Sequence, residues 1–144
     1  MQYRKIHIIG GPGSGKSYIA RKLSTFYNIH AYDLDDIFWD RLTNAYGTKA
    51  REEDRNTALS EILNKESWIV EGVYYSWLSQ AFKDADLIIM LTTPKWIRHW
   101  RISKRFIRRK IGLSTSKKET LSDFLELVKW NLRFDSDNRI RIIF

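Results

Sequence analysis

The chain has 144 residues, no cysteine and a formal net charge of +8. Its length fits one domain, because domains run to roughly 100–200 residues, and the lack of cysteine excludes a disulfide scaffold, a zinc-thiolate site and a cysteine nucleophile. No apolar run approaches the ~20 residues that cross a bilayer, and no export signal is recognisable, so we expect a cytoplasmic protein without a membrane partner.

Short apolar runs alternate with segments of helical periodicity along the chain. The apolar runs predict strands over residues 6–9, 29–34, 68–70 and 87–91. The periodic segments predict helices over residues 17–26, 52–65, 76–82, 96–111 and 121–132. This alternation indicates βαβ units, so the expected class is α/β, with a parallel sheet of about four or five strands flanked by helices. Ligands of such sheets bind at the carboxyl ends of the strands.

The first predicted strand runs into a glycine-rich segment that matches the phosphate-loop pattern G-x-x-x-x-G-K-[ST] in full. Glycines let successive backbone N–H groups turn toward a phosphate chain, and the N-terminus of the following helix favours the same anion. We therefore predict ATP binding, with Lys16 at the β- and γ-phosphates and the Ser17 hydroxyl on Mg²⁺. The predicted phosphate-binding residues are Gly10, Gly11, Pro12, Gly13, Ser14, Gly15, Lys16 and Ser17.

Carboxylates end two of the predicted strands, where a magnesium nucleotide requires them. Glu71 closes the third strand, and Asp33 and Asp35 close the second. Because alternate strand residues face the same side, Asp33 and Asp35 can point at one site. We assign Ser17, Asp33 and Glu71 to the metal and its water shell, and Asp35 to orienting the acceptor. In the alternative interpretation, Asp35 or Asp36 caps the next helix.

The cations are concentrated in one segment, because residues 87–118 hold ten lysines and arginines and no acidic residue. The arginines that share one face of the predicted helix 96–111 are Arg98, Arg101, Arg105 and Arg108 or Arg109. The apolar residues on another face are Trp96, Trp100, Ile107 and Ile111. Three interpretations remain open: a lid over residues 95–118 that closes on ATP, a DNA-binding surface from Arg98 to Lys118, and a solvated basic face.

Aromatic residues flank the two acidic strand ends, and they favour a nucleoside or nucleotide acceptor over a small hydroxy acid. These aromatic residues are Phe38, Trp39, Tyr74, Tyr75 and Trp77. Core packing is the alternative role for their rings. The acceptor-binding residues that we predict are Asp35, Trp39, Glu71, Gly72 and Tyr75. The histidines show no metal-ligand spacing, and His7 on the first strand is predicted to be a packed core residue.

With these residues assembled, the chain is similar to the P-loop kinase superfamily of adenylate, shikimate and gluconate kinases. It resembles more closely the adenylate-kinase-related bacterial "DNA topology modulation protein" (FlaR-type) family. The matching segments are IHIIGGPGSGKS, YDLDDIFWD, WIVEGVYYSWL, ADLIIMLTTP, WIRHWRISKRFIRRK and LVKWNLRFD. These segments span nearly the whole chain, so the resemblance is specific.

The resemblance implies a three-layer P-loop NTPase fold over residues 1–144, with an acceptor-binding element at residues 38–55 and a basic helical lid at residues 95–118. It also implies ATP and Mg²⁺ as cofactors, and transfer of the γ-phosphoryl group to a hydroxyl or phosphate of an unidentified acceptor. The catalytic residues that it implies are Lys16, Asp35, Arg101 and Arg105.

The C-terminus departs from the pattern of these kinases, which continue with a last strand, an adenine-contacting loop and a final helix. This chain stops at RIRIIF, which we interpret as a short terminal strand or as the mark of a C-terminal truncation. A missing strand exposes apolar surface, so homo-oligomerisation is a possible consequence. The alternative function is a nucleotide-binding regulator that contacts DNA through the basic helix.

Overall fold

A computed structural model of the chain describes residues 3–40, 48–74, 76–111 and 121–134. The strands are β1 (Lys5–Gly10), β2 (Ala31–Asp33), β3 (Trp68–Gly72) and β4 (Leu87–Leu91). The helices are α1 (Lys16–Tyr27), α2 (Asp35–Phe38), α3 (Glu52–Leu63), α4 (Ser79–Asp84), α5 (Lys95–Lys110) and α6 (Leu121–Phe134). The predicted terminal strand in RIRIIF lies outside the described residues.

The strands of the described residues form one sheet in the order β2-β3-β1-β4. Strand β3 pairs in parallel with β1 and with β2, and this register places Glu71 beside Ile8 on one side and Asp33 on the other. Every residue of β3 is buried, as expected for the central strand of a parallel sheet that is covered on both faces. The predicted α/β class, with a parallel sheet flanked by helices, is confirmed.

The chain forms two compact units, and the glycine-rich residues Gly10–Gly15 belong to the second. The first unit comprises Met1–Ile9 and Lys16–Met90, and the second comprises Gly10–Gly15 and Leu91–Phe144. In the first unit, α1 packs on β2 and β3, and α2 packs on α3. The buried apolar side chains of its main core cluster are Leu34, Leu59, Ile62, Leu63, Trp68, Val70, Leu78 and Ala81.

Strand β1 is held at its start by a carboxylate and carries a buried histidine. The Asp86 carboxylate accepts the backbone N–H groups of Arg4 and Lys5 at 2.9 and 2.8 Å, and these bonds lower the pKa of Asp86. His7 is fully buried, with its ring centroid 4.4 Å from that of Phe82. Burial lowers the pKa of His7 to about 4, so its imidazole is neutral at pH 7. The prediction that His7 is a packed core residue is confirmed.

The second predicted strand is shorter than expected, and this changes the relation between its two aspartates. Strand β2 ends at Asp33, and Asp35 opens the short helix α2. The Asp33 carboxylate accepts the backbone N–H of Asp35 at 2.9 Å. Strand alternation therefore does not relate the two side chains, because only Asp33 lies on the strand. The carboxylate that bonds the start of α2 is that of Asp33, and the N-cap residue Leu34 makes no side-chain cap bond.

In the second unit, α5 packs on α6, and Phe106 stacks on Phe124 with ring centroids 4.4 Å apart. Helix α5 buries Arg98 and Ile102, whereas its predicted apolar face is exposed. The periodicity of α5 therefore predicts the helix well. Its apolar residues lie on an exposed face, however, and the residues that pack lie on another face. No helix within the described ranges is long and apolar enough to span a membrane.

Candidate nucleotide-binding site

The loop that follows β1 has a backbone that requires glycine. Gly13 and Gly15 have φ angles of +73° and +103°, in the left-handed region that side chains disfavour. A Cβ atom on Gly13 would also lie 2.8 Å from the carbonyl oxygen of Arg98. The N–H of Ser14 donates to the carbonyl of Gly11 at 3.2 Å, which closes a tight turn inside the loop. The glycine pattern is therefore set by the path of the backbone.

Two side chains hold the outward carbonyl groups of this loop. Thr93 Oγ1 and Arg101 Nη1 both donate to the carbonyl oxygen of Ser14 at 3.0 Å, and Arg101 Nη1 also donates to that of Gly13 at 3.3 Å. The described peptide bonds are trans, so a carbonyl and the N–H of the next residue point in opposite directions. Fixing the Ser14 carbonyl thus turns the N–H of Gly15 away from Thr93 and Arg101.

The hydroxyl of Ser14 fits an anionic ligand. Ser14 Oγ is buried and has no hydrogen-bond partner, and it lies 2.9 Å from the position that a Cβ on Gly10 would take. A buried hydroxyl without a partner is unfavourable in a finished core. An anion with acceptor oxygens, such as a phosphate, would supply the missing partner.

The predicted lid arginines differ from one another in the structure. Arg101 donates to loop carbonyls, Arg105 is exposed one turn later, and Arg98 is buried. Sequence reasoning did not find Thr93, because nothing local marks a threonine that bonds a carbonyl 79 residues away. Its position just after β4, at the carboxyl end of a strand, is the signal that could have found it.

At the start of α1, in the first unit, three of the predicted site residues come together. The Ser17 side chain forms a hydrogen bond with the Glu71 carboxylate, and the Lys16 ammonium lies close enough to favour the charged form of Glu71. Burial nevertheless raises the pKa of Glu71, with the Asp35 and Asp36 charges adding to it. Lys16 is itself buried. A hydroxyl, an ammonium and a carboxylate therefore meet where the phosphate-loop sequence enters its helix.

Asp33 and Glu71 are neighbours across the β2–β3 ladder. Burial first, and then the negative charge of Glu71, raise the pKa of Asp33 to about 7. A divalent cation relieves such a raised pKa, and Mg²⁺ in nucleotide sites uses one or two carboxylates together with water and phosphate oxygens. The described residues contain no cluster of three or more metal-ligating His, Asp or Glu side chains. The donor set therefore fits a magnesium nucleotide and does not form an all-protein metal cage.

Asp35 is oriented by a chain of hydrogen bonds. The Tyr74 hydroxyl donates to Asp35 Oδ1 at 2.6 Å, and the Trp39 side chain forms a hydrogen bond with Tyr74. Burial and the Asp35 charge raise the pKa of Tyr74 above its ordinary value, so the phenol remains protonated and donates. Tyr75, the residue predicted here from the sequence, lies outside the described residues. The tyrosine that bonds Asp35 is its neighbour in the chain.

The remaining predicted residue, Gly72, has a packing role. A Cβ on Gly72 would lie 3.0 Å from the side chain of Leu34 and 3.3 Å from that of Tyr74. The Tyr74 ring also stacks on Phe38 at 4.2 Å, and the Arg55 guanidinium lies 5.0 Å from the centre of the Phe38 ring. Because Gly72 has no side chain, the Tyr74 and Phe38 rings can pack next to it. These two aromatic residues therefore have a packing role.

A parallel α/β sheet, with a phosphate-loop sequence between β1 and α1, defines the P-loop class of nucleotide-binding folds. Residues 6–122 match the AAA_18 family, described as an AAA domain, and the chain belongs to this family. The predicted P-loop resemblance is confirmed at this level.

Known proteins match this chain over most of its length. The uncharacterized protein YqaC of Bacillus subtilis (strain 168) is 30% identical over 139 residues, which is 92% of this chain and 74% of YqaC. A gluconokinase from Sinorhizobium meliloti 1021 has a TM-score of 0.57 at 16% identity, covering 94% of this chain and 77% of that one. A sugar kinase from Janibacter sp. HTCC2649 has a TM-score of 0.52 at 15% identity, covering 98% and 99%. At these identities, the two kinase structures establish the fold.

Proposed function

We propose that the chain is an ATP-dependent phosphotransferase that moves the γ-phosphoryl group of Mg-ATP to a hydroxyl or phosphate acceptor. One observation carries this proposal: the phosphate-loop sequence leads directly into α1, where Ser17 is hydrogen-bonded to the strand-end carboxylate of Glu71. Both sugar-kinase structures that share the fold are kinases by name, which supports the same class of reaction. The acceptor-binding element at residues 38–55 and the lid at residues 95–118 remain part of the proposal.

The phosphate chain of ATP is assigned to the loop from Gly10 to Ser17. The Gly15 N–H, turned by the bonds that hold the Ser14 carbonyl, offers a donor to it, and the N-terminus of α1 favours the same anion. Lys16 supplies the positive charge at the β- and γ-phosphates. Positioning and charge neutralisation account for most of the catalysis in this reaction class.

Ser17, Asp33 and Glu71 are assigned to the magnesium ion and its water shell. Bound Mg²⁺ supplies positive charge against the phosphate oxygens and against the two carboxylates. The raised pKa of Asp33, about 7, supports this assignment, because an uncompensated carboxylate pair is unfavourable.

Asp35 is assigned to the acceptor, next to Trp39 and the described part of the acceptor-binding element. Its carboxylate orients the acceptor hydroxyl and receives its proton, while the acceptor oxygen forms a bond to the γ-phosphorus and the bond to the β,γ-bridging oxygen breaks. ADP leaves with that oxygen. Arg101 and Arg105 are assigned to charge neutralisation during transfer, which for Arg101 requires release from the loop carbonyls.

The test of this function is the substitution Lys16→Ala, with Lys22→Ala on the exposed side of the same helix as the matched control. We expect Lys16→Ala to abolish ATP binding measured by calorimetry, and Lys22→Ala to preserve it. ATP binding that survives unchanged in Lys16→Ala contradicts the proposal. A screen of sugars, sugar acids, nucleosides and nucleoside monophosphates with radiolabelled ATP then identifies the acceptor.

The second candidate function is DNA contact through residues 98–118, which a closer relation to the FlaR-type family would imply. It rests on the absence of any acidic residue in α5. Binding to duplex DNA that falls steeply with salt, and that persists in Lys16→Ala, would favour this candidate. Residues 112–118 lie outside the described part of the chain.

A further inference from the structure

Helix α5 has two kinds of exposed side chain on the side that faces away from its packing partners. Trp96, Trp100, Ile107 and Ile111 are between 57% and 73% exposed, and at ~100° per residue they fall within a sector of about 60° of the helix. We call these four residues the apolar strip. The buried residues Arg98 and Ile102 lie on the opposite side, so the strip is not the packing face of α5.

A basic strip runs beside the apolar strip on the same helix. Its exposed members are Lys104, Arg105 and Arg108, which occupy the next sector of the helix. The Lys104 ammonium lies over the Trp100 ring, 4.7 Å from its centre, so the two strips adjoin. Helix α5 has eight lysines and arginines and no acidic residue.

We propose, in place of the sequence-based expectation of no membrane partner, that this face of α5 is a docking surface for an anionic lipid bilayer, on which the protein lies as a peripheral protein. Interfacial helices place Trp and aliphatic side chains at the headgroup boundary and hold lysine and arginine against lipid phosphates. Each cation near an anionic surface adds attraction that salt weakens. The adjoining strips of α5 provide both contributions on one exposed face.

The composition of the surface favours lipid over two other partners. Ile107 and Ile111 have no aromatic face to stack on a base, so half of the apolar strip adds nothing to single-stranded nucleic-acid binding. A second copy of this helix would bring lysines and arginines against lysines and arginines, which is unfavourable. A bilayer with anionic headgroups satisfies the aliphatic residues and the cations together.

The experiment is co-sedimentation of the full chain with vesicles, either of phosphatidylcholine alone or with added phosphatidylglycerol. We expect binding to the anionic vesicles that weakens with salt, and little binding to the neutral ones. The double variant Ile107→Ser with Ile111→Ser should lower the partition coefficient by about tenfold or more. Lys104→Glu with Arg108→Glu should lower it by at least about tenfold as well.

Matched controls are Phe26→Ser, an exposed apolar residue of α1, and Lys65→Glu, an exposed lysine after α3; both should bind vesicles as the parent does. All the substituted residues are exposed, and unchanged circular dichroism and thermal unfolding confirm that the variants fold. Three results would overturn the proposal. The first is vesicle binding that the double variant Ile107→Ser with Ile111→Ser does not reduce. The second is binding to single-stranded DNA without binding to vesicles. The third is that the parent chain self-associates without binding vesicles, and that the double variant abolishes this self-association.

Discussion

The raised pKa of Asp33 makes a testable prediction about the pH dependence of stability. Its pKa is about 7 in the folded chain, against an ordinary value of 3.8, because of burial and the Glu71 charge. The folded state therefore binds more protons than the unfolded state between these two values, and stability falls as the pH rises through this window. The full difference corresponds to about 4 kcal/mol, which solvent screening of the half-buried carboxylate reduces to about 1–2 kcal/mol.

The substitution Asp33→Asn removes this penalty, and the amide oxygen still accepts the N–H of Asp35. At pH 8 and without Mg²⁺, we expect the variant to be more stable than the parent by about 1–2 kcal/mol, or roughly 3–6 °C in Tm. At pH 5 the gain in stability should be smaller, because Asp33 is then still largely protonated in the folded state. Only part of the free-energy cost of its buried charge is therefore present. Added Mg²⁺ should stabilise the parent more than the variant, because the variant lacks a carboxylate that we propose binds the metal.

The assay is thermal unfolding followed by circular dichroism at the two pH values, with Glu66→Gln as the control. Glu66 is an exposed carboxylate in the turn after α3, so its substitution should change Tm little at either pH. The reasoning is refuted if Asp33→Asn lowers Tm at pH 8, or if its effect is the same at pH 5 and pH 8. A gain in stability combined with a loss of phosphotransfer would indicate a carboxylate retained for function.

Three further predictions concern the core, the loop and the acceptor side. The pKa of His7, lowered to about 4 by burial, predicts that stability is complete above pH 6.5 and falls by up to about 3 kcal/mol toward pH 4; His7→Leu should flatten this part of a urea-unfolding profile. Gly13→Ala forces a side chain into φ +73° and against the Arg98 carbonyl, so it should destabilise the fold by roughly 1–3 kcal/mol and weaken nucleotide binding in calorimetry. Tyr74→Phe removes the 2.6 Å bond to Asp35 and should lower kcat about tenfold, with little change in KM for ATP; an unchanged kcat would contradict its positioning role.

The sequence predicts the sheet and the loop well, because both depend on local constraints. Short apolar runs bounded by turn residues, such as that of β3, are typical of buried strands in an alternating α/β pattern, and the loop requires glycine where φ is positive, as at Gly13 and Gly15. The sequence does not predict those features that a tertiary contact determines. Nothing local in Tyr74-Tyr75 indicates which ring turns toward Asp35, and helical periodicity identifies the apolar strip of α5 without indicating that the other face is the one that packs.

The loop and its support show how a distant residue completes a local motif. The Ser14–Gly15 peptide is rigid and trans, so the direction of the Gly15 N–H is determined by whatever bonds the Ser14 carbonyl. Two donors from the second unit do so, the Thr93 hydroxyl and the Arg101 guanidinium. The Thr93 hydroxyl is short and fixed, whereas an arginine can exchange a carbonyl for a phosphate oxygen of greater charge. Thr93 therefore fixes the Ser14 carbonyl independently of Arg101, and in the function that we propose Arg101 would leave the loop for the nucleotide without releasing that carbonyl.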